Sequence, residues 1–267
     1  MASIDAVDIQ QFAEVGAVCL RQVLSPAQID MLRAGIEFNL ADLSPHAKLA
    51  SDANDPGKFL EDFCTWGENP FYRSVIFESP LGAIAASLMQ SSTVRLYHDH
   101  MLTKESGTRQ RTPWHQDQPY YNIEGRQNVS IWIPVDRVTR DATLEFVAGS
   151  HKGPWLMPRS FLHGHAQWFP EGTLAELPDI EARRTAYPIV GWDMEPGDAV
   201  CFHMLTLHGS AGSRERRRVF SVRFPGDDIR HAPRRWATSP GFPGLASGLP
   251  EGAVMDHPLF PVVWMRE

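Results

Sequence analysis

The pattern of apolar and polar positions divides the chain into a helical beginning and a strand-rich middle. Over the first forty residues it predicts a helix, a short strand and a second helix. Ile9, Phe12 and Ala13 share one helical face, and Gly16 follows as a turn residue. The apolar run at 17–20 then favours a strand.

The second helix has a clear start signal. Ser25 fits the N-cap, Pro26 the first helical position and Gln28 the third residue of a capping box. A further helix is expected around residues 80–89. Residues 44–70 are polar and interrupted by prolines, so we expect a loop or covering segment there.

From about residue 94 onward, short runs of β-branched and aromatic residues alternate with turn signals. The predicted strands are 94–103, 127–135, 143–147, 199–204 and 217–224. This spacing is typical of a β-sandwich or jelly roll. After Phe224 the chain is rich in proline, and apolar anchors such as Phe242, Leu259, Phe260 and Trp264 suggest an ordered coil around the core.

We therefore predict a single domain over residues 1–267. It would consist of a helical, covering part at 1–90, a jelly-roll core at 94–224 and a Pro-rich wrapping tail at 225–267. The predicted fold class is mostly β with flanking helices.

Composition narrows the function classes. The chain has 267 residues, 43% of them hydrophobic and 21% charged, as in an ordinary globular protein. Its apolar runs are too short for a transmembrane helix, and we see no secretory signal. The net charge of −7 argues against nonspecific nucleic-acid binding. Three scattered cysteines suit a reducing compartment, so we expect a cytoplasmic protein with no nucleic-acid or membrane partner.

The strongest local chemical signal is Trp114-His115-Gln116-Asp117. In a strand, residues two apart point to the same face, so His115 and Asp117 would present an imidazole and a carboxylate together. Such a pair is two-thirds of a 2-His-1-carboxylate metal site. The H-x-D spacing alone is weak, because a buried His–Asp hydrogen bond explains it equally simply.

His208 is the best candidate for a third ligand, because it follows a strand-like run and opens the turn His208-Gly209-Ser210. The pair His98 and His100 on another strand leaves a cupin-like metal site as an alternative. We expect structural roles for His151 and His203 and solvated positions for His163 and His165.

An arginine anchor follows His208. In the strand at 217–224, one face reads Arg, Val, Ser, Arg and the other Arg, Phe, Val, Phe. An arginine at the end of a mostly apolar strand suits bidentate binding of a carboxylate. Arg217 is the first candidate and Arg218 the fallback, and Ser210 could add a hydroxyl donor.

The chain resembles the phytanoyl-CoA dioxygenase-like family of iron(II)/2-oxoglutarate oxygenases. The resemblance rests on short motifs that appear in the family's order over roughly residues 8–225. These are FAEVGAV at 12–18, WHQD at 114–117, IWIPVD at 131–136, FVAGSH at 146–151, PGD at 196–198 and HGS at 208–210. Two features depart from the family pattern: Ala142-Thr143 stands where Asn-Gly is common, and the spacing from His208 to Arg217 is short.

The resemblance implies a double-stranded β-helix (cupin-like jelly roll) core and a site for Fe(II), 2-oxoglutarate and O2. His115, Asp117 and His208 would bind the iron. Arg217, with Arg218 as fallback, and Ser210 would hold the distal carboxylate of 2-oxoglutarate, with Trp132 lining the pocket and His100 as a further contact. Tyr120 and Tyr121 either line a substrate pocket or pack with satisfied hydroxyls.

The predicted function is therefore hydroxylation of a C–H bond in a small or medium organic molecule, with release of succinate and CO2. One alternative is the same iron chemistry ending in desaturation, epoxidation or cyclisation. Another is a cupin-like metal protein without oxygenase activity, which would not need a buried arginine facing the metal. The sequence names no substrate and leaves homo-oligomer formation open.

Overall fold

The computed structural model describes residues 4–158 and 174–266. Five α-helices lie in this part of the chain: α1 (Ala6–Val15), α2 (Pro26–Ala41), α3 (Pro70–Glu78), α4 (Leu81–Met89) and α5 (Leu245–Gly248). The strands of its first half are β1 (Ala17–Leu20), β2 (Lys48–Leu49), β3 (Phe59–Phe63), β4 (Thr93–Arg95), β5 (His98–Lys104), β6 (Thr112–His115), β7 (Ile123–Glu124) and β8 (Asn128–Pro134). Those of its second half are β9 (Leu144–Val147), β10 (Ile189–Val190), β11 (Ala199–Phe202), β12 (His208–Ser210), β13 (Arg217–Pro225), β14 (Arg230–His231) and β15 (Val262–Met265).

Two antiparallel sheets form the core. The large sheet has seven strands in the order β1-β11-β8-β13-β5-β3-β2, and the small sheet has four in the order β10-β9-β12-β6. Between them lies an apolar cluster to which both sheets contribute. It includes Trp132, Val200, Phe202 and Val219 from the large sheet and Leu144 and Phe146 from the small one. This is a double-stranded β-helix, and the predicted jelly roll with flanking helices is confirmed.

The helices cover the outer face of the large sheet. Phe220, Val222 and Phe224 of β13 point outward into an apolar cluster with residues of α2, α3 and α4. Because successive strand residues alternate between faces, Arg217, Val219, Ser221 and Arg223 point inward. The large sheet thus separates an apolar core from the space between the sheets.

The predicted N-terminal elements are present and their caps are formed. Ser25 and Gln28 make the reciprocal capping box of α2, with the Ser25 amide donating to Gln28 Oε1 over 2.9 Å. Gly16 ends α1 with φ of 83°, a left-handed conformation that glycine adopts without strain. The helix expected at 80–89 is α4.

Two features differ from the sequence prediction. Helix α3 was not predicted, although Asn69 caps it and Pro70 occupies its first turn. The segment 44–70 is not only loop, because β2 and β3 extend the large sheet from β5. Glu61 and Asp62 made β3 read as polar, yet both are buried among partners from other parts of the chain.

The tail after β13 packs against the core at several points. Strand β14 pairs with β7, and β15 pairs with β4. Phe260 stacks on Tyr97 with ring centres 5.4 Å apart, and Phe242 packs edge-on against both rings. Leu259, expected as an anchor, is largely exposed instead. Among the described residues, the helices are too short or too polar to cross a membrane.

Candidate metal centre

Three candidate metal ligands lie close together where β6 and β12 of the small sheet pair. His115 is the last residue of β6 and pairs directly with His208, the first residue of β12. His208 therefore lies in a strand, not in the predicted turn, because β12 is completed by pairing with β6 and β9. Asp117 lies beyond the end of β6 in a helical backbone conformation, and its amide donates to the Met204 carbonyl over 2.8 Å.

The strand-face argument for Asp117 was thus wrong in its detail, but the side chains meet nonetheless. Asp117 Oδ1 lies 3.5 Å from His115 Nε2 and 3.7 Å from His208 Nε2. All three side chains are buried, and one ligand atom from each lies within 4.8 Å of the others. In the described residues this is the one group of three or more His, Cys, Asp or Glu side chains close enough to bind a metal ion. We call it the metal triad.

Backbone carbonyls orient both imidazoles. His115 Nδ1 lies 2.8 Å from the Pro113 carbonyl, and His208 Nδ1 lies 2.8 Å from the Thr206 carbonyl. A carbonyl only accepts hydrogen bonds, so each Nδ1 carries the proton and each Nε2 presents a lone pair to the centre. Burial lowers the pKa of His208 to about 3, which also favours the neutral, metal-binding form.

The second oxygen of Asp117 is held away from the triad. Asp117 Oδ2 accepts a hydrogen bond from Ser130 Oγ over 2.8 Å and from Arg223 Nη2 over 3.3 Å. Burial alone would raise the pKa of this carboxyl, but Arg223 and the two histidines hold it well below its usual range. Asp117 is therefore an ionised carboxylate with Oδ1 free to bind one metal ion.

Sequence analysis missed Arg223 as a site residue. It follows Arg217 at an even spacing on β13, so both side chains point between the sheets. Its Nε donates to the Tyr121 hydroxyl over 3.1 Å, and its Nη1 is buried without a hydrogen-bond partner among the described residues. The alternation Arg-Val-Ser-Arg was the signal that could have found it.

A cavity of about 310 Å³ opens beside the metal triad. Its wall contains the metal triad together with other residues of both sheets, including residues of β2 and β3. Members of this wall include Glu61, Phe63, His100, Leu102, Thr112, Tyr120, Tyr121, Trp132, Leu144, Phe202, Arg217 and Arg223. The predicted contacts Trp132, His100, Tyr120 and Tyr121 thus all line one cavity with the triad.

Arg217 is a buried cation in the wall of this cavity. Its guanidinium lies over the Trp132 ring, 5.7 Å from the ring centre, and donates one hydrogen bond to the Ala142 carbonyl. Among the described residues no carboxylate lies within 4.0 Å of it, and its Nε has no hydrogen-bond partner. Burial lowers the pKa of Arg217 to about 10, so it still carries its charge at neutral pH.

Arg218, the fallback anchor, does not reach the cavity. Strand alternation turns it to the outer face, where its Nη2 lies 2.6 Å from Asp136 Oδ1 and its Nη1 lies 2.8 Å from Glu37 Oε1. The structure therefore contradicts Arg218 as an anchor. Ser210 is buried with its Oγ 3.4 Å from Lys104 Nζ, and its pairing partner Thr112 faces the cavity.

Glu61 was also missed by sequence analysis. It projects from β3 into the cavity, and its Oε1 lies 3.5 Å from His100 Nε2. Burial raises the pKa of Glu61 to about 7 and lowers that of His100 well below its usual value. No local pattern marks Glu61, because only the pairing of β3 with β5 brings it beside the metal triad.

The remaining histidines do not form a second metal site among the described residues. His98 shares a strand face with His100, but no third ligand joins them. His151 Nε2 lies 3.1 Å from the Ala13 carbonyl, and His203 Nε2 lies 3.0 Å from the Arg126 carbonyl. Both therefore bind backbone groups, as expected, whereas His163 and His165 lie outside the described residues.

Comparison with known proteins agrees with this arrangement. The family model for phytanoyl-CoA dioxygenase (PhyH) matches residues 12–219. A probable phytanoyl-CoA dioxygenase of Caenorhabditis elegans is 32% identical over 123 residues, covering 45% of this chain and 38% of that protein. Matches to curated relatives span between 35% and 63% of the relatives' lengths.

Solved structures share the fold over nearly the whole chain. The non-heme alpha-ketoglutarate-dependent carbocyclase SnoK from nogalamycin biosynthesis superposes with a TM-score of 0.75 at 21% identity, covering 98% of this chain and 97% of that one. The epimerase SnoN in complex with Fe3+, alpha-ketoglutarate and nogalamycin RO gives a TM-score of 0.76 at 20% identity, covering 97% and 98%. With the family model spanning most of its length and the metal triad in place, the chain belongs to the phytanoyl-CoA dioxygenase family.

Proposed function

We propose that this protein is an iron(II)/2-oxoglutarate-dependent oxygenase that hydroxylates a C–H bond of a small or medium organic molecule. The observation that carries the proposal is the pairing of two features in one cavity. The metal triad leaves three positions of a ferrous ion open, and a buried arginine that has no carboxylate partner among the described residues faces the same space.

The residues present fit iron(II). Two neutral imidazoles and one carboxylate are the donor set of the facial triad that binds non-haem iron. His115 and His208 would bind through Nε2, since their Nδ1 atoms are held by carbonyls. Asp117 would bind through Oδ1 alone, since Ser130 and Arg223 hold Oδ2.

Arg217 fits the distal carboxylate of 2-oxoglutarate. A buried cation is costly unless an anion neutralises it, and none of the described side chains does so. A bound dicarboxylate would supply that anion, with Trp132 against its chain and Arg217 at its far end. A cupin-like metal protein without oxygenase activity has no use for such a cation, so the oxygenase is favoured.

The protein's own contribution is placement and exclusion of water. Iron with 2-oxoglutarate and O2 supplies the oxidation of a C–H bond, with succinate and CO2 as co-products. Phe202, Leu102 and Leu144 form an apolar wall around the cavity and limit access of water to it. Arg217, Arg223 and Asp117 hold fixed charges there, so little reorganisation is needed when charge changes at the metal.

The outcome of the oxidation is the finer part of the proposal. Two structural neighbours are a carbocyclase and an epimerase, and cyclisation, desaturation and epoxidation are the alternative outcomes of the same chemistry here. Mass analysis of the product separates hydroxylation and epoxidation, which each add one oxygen atom, from desaturation and ring closure, which each remove two hydrogens. NMR spectroscopy of the product then distinguishes the two outcomes within each pair.

Succinate release under iron and 2-oxoglutarate dependence tests the proposal. Wild-type protein should form succinate only when both are added, and Asp117→Ala should reduce the rate to background. Asp136→Ala is a matched control, because Asp136 is bound to Arg218 on the outer face. Succinate formation by Asp117→Ala at the wild-type rate would disprove the assignment of the metal triad.

A further inference from the structure

We infer that Glu61, His100 and Arg223 form a recognition site for an uncharged hydroxyl group of the substrate. The three residues lie on neighbouring strands of the large sheet and line the cavity beside the metal triad. The inference rests on the proposed function, because it names the substrate class of the same centre.

The first argument is that all three side chains are buried and have unused hydrogen-bonding atoms. Glu61 Oε1, His100 Nε2 and Arg223 Nη1 have no hydrogen-bond partner among the described residues. Most buried polar atoms in proteins are paired, so an unpaired group in a cavity wall calls for a ligand. Within one cavity wall, Glu61 Oε1 can accept a hydrogen bond and Arg223 Nη1 can donate one. This pair matches a ligand group that both donates and accepts hydrogen bonds.

The second argument is that the site is held rigidly. Phe63 stacks on the His100 ring with ring centres 4.0 Å apart and planes inclined by 22°. Glu61 lies opposite Leu102 in the β3–β5 pairing, two residues along β3 from Phe63, which pairs with His100. Arg223 is fixed by Tyr121 and Asp117. Neither the strand positions nor the ring orientation needs to change when a ligand enters.

The third argument concerns charge and selects an uncharged ligand. Iron(II), Arg217 and Arg223 carry as much positive charge as Asp117, ionised Glu61 and dianionic 2-oxoglutarate carry negative charge. An ammonium or a further carboxylate would leave a net charge in a buried space, at a high cost in free energy. A hydroxyl group adds none, and it can donate a hydrogen bond to ionised Glu61 while accepting one from Arg223.

Two other cations, Lys48 and Lys104, lie nearby, and both favour the ionised form of Glu61. Lys48 is exposed at the cavity rim, with its Nζ 3.0 Å from Ser239 Oγ, so water screens its charge. Lys104 lies behind the wall, and its ammonium donates to the carbonyls of Gln110 and Ala211 over 2.8 Å and 2.9 Å.

The shape of the entrance indicates that the hydroxyl belongs to the inner end of a longer molecule. A second cavity of about 200 Å³ shares Lys48, Phe63 and Ser239 with the metal cavity. It lies between the segment before β2 and residues 237–241 of the tail. The cosubstrate would occupy part of the inner cavity, so the remaining space fits about one ring, and the rest of the substrate would extend into this outer space.

The test uses the iron(II)·2-oxoglutarate complex with matched six-membered-ring probes. Under anaerobic conditions, the visible charge-transfer band of this complex changes when a ligand enters beside the metal. The probes are cyclohexanol and myo-inositol as alcohols, with cyclohexylamine, cyclohexanecarboxylate and cyclohexanone as comparisons. Titration of the band gives an affinity for each, and succinate release in air shows whether the probe also triggers turnover.

We expect the alcohols to bind at least about tenfold more tightly than the other probes, since among them only a hydroxyl group can both donate to Glu61 and accept from Arg223. Glu61→Leu should remove this preference, Glu61→Gln should retain part of it, and Glu251→Leu, on the exposed tail, should leave it intact. The band without probe and the substrate-free release of succinate should be unchanged in Glu251→Leu, and they are measured in both Glu61 variants so that each titration is compared with its own baseline.

Two failures are distinguishable. If wild type forms the band but the alcohols show no advantage, or if Glu61→Leu keeps that advantage, the recognition site is overturned and the proposed function stands. If wild type forms no band and releases no succinate with iron and 2-oxoglutarate, both are overturned. Thermal unfolding of each variant confirms that a loss of binding is not a loss of fold.

Discussion

The two faces of the large sheet differ in the kind of side chain they bury. On the outer face of β13, Phe220, Val222 and Phe224 are fully buried in an apolar cluster under the helices. On the inner face, Arg217 and Arg223 are equally buried but retain N–H groups without partners among the described residues. Among the described residues, the outer cluster leaves only the Tyr72 hydroxyl without a hydrogen-bond partner, whereas the inner face of β13 leaves N–H groups of two buried arginines unpaired.

The distribution of unpaired atoms supports this comparison. Eight buried side-chain polar atoms of the described residues have no hydrogen-bond partner, and four of them line the metal cavity: those of Glu61, His100, Arg217 and Arg223. Because unpaired buried polar atoms lower folding stability, their concentration in the metal cavity indicates that these atoms serve ligand binding. Substitutions on the two faces should therefore change different quantities.

The largest effect on stability is expected from Phe220→Ala on the outer face. It removes a ring that packs against Tyr72 with ring centres 4.5 Å apart and should lower the free energy of unfolding by about 3–5 kcal/mol. The KM for 2-oxoglutarate should not change. Denaturant unfolding measures the free energy of unfolding, and succinate release measures the KM. Phe38→Ala is the control, because Phe38 is half-exposed and its loss should change both quantities little. A large rise in KM would show that the faces are not independent.

Arg217→Leu, on the inner face, should weaken 2-oxoglutarate binding but should not lower the stability of the ligand-free protein. Loss of the cation should raise the dissociation constant of 2-oxoglutarate by an amount equivalent to about 2–5 kcal/mol, as for a truncated buried charge pair. The ligand-free protein should become more stable, because a buried unpaired charge is removed. Calorimetric titration and thermal unfolding measure the two effects. Arg218→Leu is the control for binding: it should keep normal 2-oxoglutarate affinity, although it should lower stability because it breaks the ion pairs with Asp136 and Glu37.

Ser130→Ala should weaken metal binding without removing a ligand. Asp117 Oδ2 would lose its 2.8 Å hydrogen bond, and loss of such a support reduces metal affinity by about 10–100-fold. Titration with Mn2+ in the absence of 2-oxoglutarate measures this. Ser221→Ala removes a buried hydroxyl that donates to the Ile131 carbonyl on the same inner face, and it should leave the metal affinity unchanged. Equal losses in both variants would point to a general effect on the sheet.

The smallest effect, dependent on pH, is expected from Glu61→Gln in the metal-free protein. The folded state raises the pKa of Glu61 from 4.5 to about 7, so it binds more protons than the unfolded state between these values. Wild-type stability should therefore fall as the pH rises through this interval, and Glu61→Gln should lack that fall. The variant should be the more stable protein above the interval and nearly equal below it. Thermal unfolding against pH decides, and parallel curves would mean that Glu61 is not buried as a carboxyl.

Much of the architecture was predictable because local signals and tertiary structure agree. The capping box at Ser25 and Gln28 satisfies amides within one helix turn, so it forms wherever the helix packs. The alternating strand at 217–224 became β13, and the alternation placed Arg217 and Arg218 on opposite faces without deciding which of them points inward. His115, Asp117 and His208 were named from motif and resemblance, and the fold brings them together.

The errors occurred where distant parts of the chain decide the outcome. β3 reads as polar loop, but Glu61 and Asp62 are buried by pairing with β5 and by partners such as Asn39, whose Nδ2 donates to Asp62 over 2.8 Å. Asp117 lies in a turn, because its amide is bound by the Met204 carbonyl. Arg218 faces outward because the register of β13 gives the inner position to Arg217.

By itself, the sequence determined the fold class, the helix caps and the alternation of strand faces, and together with the family resemblance it named the residues able to bind a metal. These follow from periodicity and from residue chemistry, which act over a few positions of the chain. Only the tertiary structure decided that Arg223 holds Asp117 and that Glu61 and His100 share a cavity wall with the metal triad. It also decided that Arg217 has no carboxylate partner in the part of the chain that the structure describes. Those contacts join strands far apart in sequence, and their energies depend on a burial that no local pattern specifies.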